Sequence, residues 1–224
     1  STSRSQRFIR SYWKIKMKVK VINTSGDDTG KQVNLPKEIF GVEPNDHAIY
    51  LDVKQYLASQ RQGTHSSTEK GAVKGSTRKI KKQKGTGTAR AGSIKSGVFV
   101  GGGRMHGPRP RDYSFKLNKK LKQVARLSAL SHKAKGKEIT VIDTIALDSP
   151  KTKNYLDVLN NLKMADKKTL LLTPDYDSNV YLSSRNIPNA QVMNVSDVNT
   201  YSILHANNII LVEGSINKLK ETLS

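Results

Sequence analysis

Cysteine is absent from the 224 residues. That excludes a disulfide framework and any thiolate metal site, and fits a reducing compartment. No apolar run approaches the roughly 18 residues of a membrane-spanning helix. Acidic side chains are also scarce, with 18 Asp and Glu against 39 Lys and Arg, which leaves a net charge of +21. An imbalance of this size points to a polyanionic partner. Nucleic acid is the first candidate and an anionic membrane surface the second.

The shortage of acid is local. Residues 61–136 hold 20 basic and 2 acidic side chains. Residues 17–60 hold 5 and 6, residues 137–224 hold 9 and 10, and residues 1–16 hold 5 basic and none acidic. Two near-neutral segments thus flank one intensely basic stretch. Between Gly63 and Gly107 lie 11 of the 16 glycines, with many Ser and Thr residues and few large apolar ones. Such a stretch cannot bury enough apolar surface to offset its ordering entropy, so it is expected to be disordered when free and ordered against RNA. A loop this long inside a compact domain is commonly functional. Doubled back as a hairpin, about 25 residues at roughly 3.3 Å each reach at most on the order of 80 Å.

The flanks have globular periodicity. Residues 17–22 alternate as a short strand, and 33–35 form another. Residues 45–60 are expected as a helix with Ile49, Val53, Tyr56 and Leu57 on one face. Beyond the arm, 117–135 forms the clearest helix, with a stripe of Leu117, Leu121, Val124, Ala125 and Leu130. Lys119, Lys120, Lys122, Arg126 and Lys133 supply its basic surface. Apolar runs at 139–142, 169–172, 191–195 and 209–212 then alternate with helical stretches at 151–162, 178–185, 199–206 and 216–223. Ser149 and Pro150 suit the N-cap and first turn of the first of these helices. This alternation predicts an α/β fold, a parallel sheet of about four strands covered by helices, with a long basic Gly-rich arm.

Catalytic and cofactor signatures fail one by one. Gly87 and Gly92 have the separation of a phosphate-binding loop, but Ser93 stands where its lysine belongs. Gly85 and Gly87 begin a dinucleotide fingerprint that breaks at Arg90, and neither stretch follows an apolar strand. Among His47, His65, His106, His132 and His205 no pair has the spacing of a helical metal site. Glu69 and Asp112 are too few for a magnesium-dependent centre in the basic region. Asp143, Asp148, Asp175 and Asp177 fall near strand ends, where loop and cap chemistry accounts for them. No catalytic, cofactor-binding or metal-ligating residue is therefore expected. The clusters 78–84 and 104–111 mix guanidinium, ammonium and glycine with the single aromatics Phe99, Tyr113 and Phe115. Those are the ingredients for phosphate contacts and base stacking on irregular RNA.

Several motifs resemble one known family. Arg61-Gln-Gly-Thr64, Gln83-Lys-Gly-Thr-Gly-Thr-Ala-Arg90 and Gly92-Ser-Ile-Lys-Ser96 are similar to the arm of the bacterial-type "L-four" family of universal large-subunit ribosomal proteins. The similarity continues through Gly101–Gly103, Pro108-Arg-Pro-Arg111, Lys116 and Asn118-Lys-Lys120. It extends to Pro150-Lys-Thr-Lys153 and Ser184-Arg-Asn186. There are departures. Ile80, Lys81 and Lys82 replace a Pro-Trp-Arg run, Thr88 stands where arginine is commoner, and Val98-Phe99 replaces a Pro-aromatic-Trp-like stretch. Residues 1–16 precede the family's usual start; they are read as a basic extension on rRNA, with an organelle transit peptide as the alternative.

The resemblance implies a structural constituent of the large ribosomal subunit that binds its rRNA and supports assembly, without enzymatic activity. It implies a globular α/β domain at 17–61 and 112–224, and an inserted rRNA-binding arm at 62–111. Phosphate contacts are expected from Arg61, Lys84, Arg90, Lys95, Arg104, Arg109, Arg111, Lys119, Lys120 and Arg126. Gly85, Gly87, Gly92, Gly101 and Gly102 are expected to let the backbone pass between RNA helices. By the same resemblance Lys82, Gln83, Lys84, Gly85, Thr86 and Gly87 form an arm tip that helps line the polypeptide exit tunnel. The implied partners are large-subunit rRNA, neighbouring ribosomal proteins and the nascent chain, with no membrane and no homo-oligomer. The expected location is the cytoplasm, in ribosomes, with an organellar ribosome as the alternative. An RNA-processing or RNA-modifying enzyme with a basic substrate-binding arm is the rival reading.

Overall fold

A computed structural model describes residues 18–223. The expectation for residues 1–16 lies outside the described residues. The chain divides into two compact units, one of residues 18–56 and 116–223, the other Leu57–Phe115.

The first unit is built on one six-stranded sheet in the order β2-β1-β3-β6-β4-β5. The strands are β1 (Lys18–Ile22), β2 (Asp28–Asn34), β3 (Ile139–Ile142), β4 (Thr169–Thr173), β5 (Ala190–Asn194) and β6 (Asn208–Val212). Only the β1–β2 pair is antiparallel; β1, β3, β6, β4 and β5 run parallel. The α/β class is as expected, but the sheet has six strands rather than about four. β1 pairs with β3 across more than 100 residues of sequence and carries β2 with it, a long-range partnership that local periodicity cannot reveal.

Among the described residues seven α-helices flank the sheet: α1 (Lys37–Phe40), α2 (Asp46–Ser59), α3 (Lys119–Lys135), α4 (Thr152–Asn161), α5 (Ser178–Ser184), α6 (Thr200–His205) and α7 (Glu213–Leu223). Strand side chains alternate between faces. Leu170, Leu172, Ile209 and Leu211 therefore enter one core with Ala129 and Leu130 of α3, Ile203 of α6 and Leu219 of α7. Leu171, Ile210 and Val212 enter a second with Tyr155 and Leu159 of α4 and Val180 of α5. Cover on both faces explains why β4, Thr-Leu-Leu-Leu-Thr, is buried at every position.

Three local expectations are corrected. The helix expected from 151 starts at Thr152, with Lys151 at the cap position and no side-chain cap, so Ser149 does not cap it. The buried positions of α2 are Ala48 and Asp52, whereas Leu57 is exposed. Asp52 is held because its carboxylate accepts the Thr200 hydroxyl at 2.5 Å, a long-range partner that turns a polar position inward. Lys133 is buried rather than part of the basic surface of α3; its ammonium meets Glu138 at 2.6 Å and the carbonyl of Asn207 at 3.5 Å. The caps that do form include Asn45, accepting from the amide of Ala48, Asp177, accepting from the amides of Asn179 and Val180, and Asn199, accepting from Ser202.

Candidate nucleic-acid interface

The second unit contains no helix or strand beyond the end of α2. Its two limbs are tied antiparallel by scattered hydrogen bonds. The amide of Arg111 donates to Gly63, Ser67 to Pro108, Arg104 to Thr68 and Ile80 to Gly92, at 2.8–3.1 Å. Nearer the far end the Lys81 ammonium reaches the Thr88 hydroxyl at 2.7 Å. The chain reverses between those two residues, and all of 82–90 is exposed. Gly85 (φ 83°) and Gly87 (φ 62°) make this reversal in the left-handed region that side chains disfavour.

At the base, Tyr113 organises two of the expected phosphate ligands. The guanidinium of Arg61 lies 3.8 Å from its ring centroid and that of Arg111 lies 4.5 Å away. The tyrosine hydroxyl hydrogen-bonds with Nε2 of His65 at 3.1 Å, which holds the ring. Neither guanidinium forms an ion pair among the described residues, so two positive charges sit side by side uncompensated. Gly63 lets this base close, since a Cβ there would lie 2.0 Å from the carbonyl oxygen of Arg111. Composition identifies Tyr113 as a stacking aromatic; that its ring is taken by two arginines is decided by the pairing of distant limbs.

Arg109 has a different situation. It is paired with Glu69, which raises its already high pKa through the hydrogen bond and the opposite charge. Asp112, the other acidic residue of the basic stretch, is held below the usual carboxylate range by bonds from the amide and hydroxyl of Ser114. Arg104 and Arg109 border a cleft of about 600 Å³. A second cleft, about 590 Å³, is bordered by Arg78, Lys79, Lys81 and Lys82 around the apolar Ile80 and Ile94. None of its four cations is among the residues expected as phosphate ligands, Lys82 being expected only at the arm tip, although all lie within the 78–84 charge run.

The remaining expected residues are distributed as follows. Lys82, Gln83, Lys84, Thr86 and Arg90 are exposed along the reversal, and Lys95 is half-buried. Gly85, Gly87, Gly92 and Gly101 have open space where a side chain would be. Gly102 does not: a Cβ there would lie 1.9 Å from the carbonyl oxygen of Ser96. Lys119, Lys120 and Arg126 belong to α3 in the other unit. Lys119 and Lys120 are exposed, whereas Arg126 is half-buried with its Nε lacking a hydrogen-bond partner.

Three of the four strand-end carboxylates have structural partners. Asp143 faces Lys31 at 3.9 Å, Asp175 binds Lys218 at 2.5 Å, and Asp177 caps α5. Among the described residues no group of three or more His, Asp or Glu side chains could hold a metal ion. No helix among them is long and apolar enough to cross a membrane.

Fold and site together define a class: an α/β unit bearing a cation-rich, irregular hairpin. Residues 33–222 match the profile of the ribosomal protein L4/L1 family. A relative from Amoebophilus asiaticus, named large ribosomal subunit protein uL4, is 56% identical over 208 residues, 93% of this chain and 99% of its own length. The protein of that name from Christiangramia forsetii is also 56% identical, over 93% of this chain and all of its own. That from Flavobacterium johnsoniae is 55% identical over the same shares. The chain belongs to the ribosomal protein L4/L1 family.

Proposed function

We propose that this chain is a structural, non-enzymatic constituent of the large ribosomal subunit, bound to its rRNA and to neighbouring ribosomal proteins. The observation that carries the reading is an arm of about 50 residues whose cations, Arg109 apart, have no acidic partner among the described residues and whose interior is almost empty of apolar contacts. Gly103 is the only buried residue between 57 and 115. A segment built this way gains its stability from phosphates rather than from a core. Membership of the family and the names of the relatives support the same reading.

In this role Arg61 and Arg111, splayed over Tyr113, grip the RNA backbone at the arm's base. Lys84, Arg90, Lys95 and Arg104 neutralise phosphates farther out. Lys119, Lys120 and Arg126 add contacts from α3. Residues 82–87, at the reversal, help line the polypeptide exit tunnel and meet the nascent chain. The arm at 62–111 is the assembly determinant and the α/β domain its anchor. The protein works in cytoplasmic ribosomes, as one copy per subunit and away from membranes.

The test is sedimentation of the native protein from lysate at low and at high salt. Co-migration with intact large subunits that survives high salt is expected, because surface phosphate contacts alone weaken steeply as salt rises. Protein released freely by salt would contradict an arm embedded in RNA.

A further inference from the structure

The two edges of the sheet are built differently. Strand β2 is guarded: it carries Asp28 and Lys31, contains Gly30 at φ 74°, pairs with β1 through an irregular register, and forms ion pairs to Lys20 and Asp143. Those are the features that discourage a further strand from adding. Strand β5, Ala-Gln-Val-Met-Asn, has no charged side chain, no glycine and no proline, and no described strand pairs with its outer side.

A cleft of about 280 Å³ lies against this edge. Residues 191–194 all border it, although their side chains point alternately to opposite faces. The cleft therefore takes in both faces of β5 and, through Thr173, the end of β4; the outer side of β5, with no described strand on it, offers the amide and carbonyl groups that an edge strand leaves free. Its flanks are aromatic and acidic. Tyr176 and Tyr181 contribute exposed rings whose centroids are 5.8 Å apart. Asp177 and Asp197 contribute carboxylates without an ion pair among the described residues, and only one oxygen of Asp177 is used in capping α5.

We propose that the free edge of β5 docks an extended, lysine- or arginine-bearing segment of a neighbouring protein. The segment adds as a strand to β5 and places a cationic side chain between the tyrosine rings and the carboxylates. Main-chain hydrogen bonds supply affinity in this mode, and the flanking pockets supply specificity. Ring faces and carboxylates both favour a cation, a guanidinium above all. The same chemistry disfavours other occupants. RNA and anionic lipid would meet the two carboxylates, and a second copy paired through β5 would set acid against acid. This inference is independent of the rRNA reading, since it concerns a surface of opposite charge on the other unit.

The experiment uses the isotope-labelled full chain, free of RNA, and an end-capped heptapeptide alternating valine with arginine and lysine. A control peptide carries glutamate in place of the basic residues. The basic peptide is expected to shift the backbone amides of 190–194, and the glutamate peptide to leave them unmoved. The Asp177→Asn, Asp197→Asn double variant keeps the cap, because asparagine caps as well as aspartate. It is expected to weaken the basic peptide about fivefold or more. Equal binding of the two peptides, unmoved β5 amides, or unchanged affinity in the double variant would overturn the proposal. So would sedimentation showing that β5 is occupied by a second copy. None of these results would alter rRNA binding, which the peptide assay does not involve.

Discussion

The α/β unit and the arm divide the physical work of one chain between them. In residues 137–224 the 9 basic and 10 acidic side chains nearly cancel, and the strands fill two continuous apolar cores. In residues 61–136 the balance is 20 to 2, and the arm within it is held by a handful of backbone bonds and the Arg61–Tyr113–Arg111 stack. The first region is stable because it hides apolar surface from water. The arm contributes no residue to either core. One lesson is that a glycine-rich, cation-rich segment need not be read as a failed domain; it is a surface awaiting its counter-ion.

The comparison can be broken most severely by excising the arm. Removal of residues 62–110 is expected to leave a cooperative thermal unfolding transition while lowering affinity for large-subunit rRNA by about 10³-fold or more at moderate salt. Loss of the transition would mean that the arm is part of the fold. The reciprocal change is Leu211→Ala, at the centre of the sheet. It should cost about 2–5 kcal/mol in chemical denaturation, because a cavity opens between strands and helices, with little change in the salt dependence of RNA binding.

A finer cut separates charge from packing within the arm. Replacing both Arg61 and Arg111 with alanine should lower the slope of log affinity against log salt by about 2, roughly one per phosphate contact. The melting temperature should stay constant. An unchanged slope would mean that the two guanidinia over Tyr113 face no phosphate.

The smallest effect belongs to the α/β unit. Tyr155 is buried, its hydroxyl has no hydrogen-bond partner, and burial pushes its pKa well above the ordinary tyrosine value. Tyr155→Phe should therefore be neutral or stabilise by up to about 1 kcal/mol, since an unsatisfied buried polar group is removed. The pH dependence has a defined sign. With the folded pKa raised, the unfolded chain releases this proton first, so the contribution is intact below about pH 10 and is lost progressively above it. The phenylalanine variant should lack that component of alkaline destabilisation, measurable by denaturant titration between neutral and strongly alkaline pH.

Much of this was legible without a structure. The parallel strands and their helices follow from apolar runs and 3.6-residue stripes, because each element's period is set by local backbone geometry. The family resemblance rests on contiguous motifs around 83–96, which are local by definition. What was not legible involves partners far apart in sequence. Asp52 turns inward for Thr200, Lys133 for Glu138 and Asn207, and Arg61 and Arg111 converge on Tyr113 only when the two limbs pair. The stripe assigned to α2 misplaced Leu57, because the helix turns Ala48 and Asp52 inward instead, Asp52 through its bond from Thr200.

The sequence by itself determined the class of fold, the charge asymmetry and the chemistry of the partner, since composition and period act residue by residue. Only the tertiary structure decided which sheet edge stays open, which arginines are paired with acid and which are free, and which glycines are packed against backbone. Each of those depends on the closeness of groups separated by tens of residues. Burial and Coulomb energies there are set by distance in space, which the order of residues along the chain does not specify.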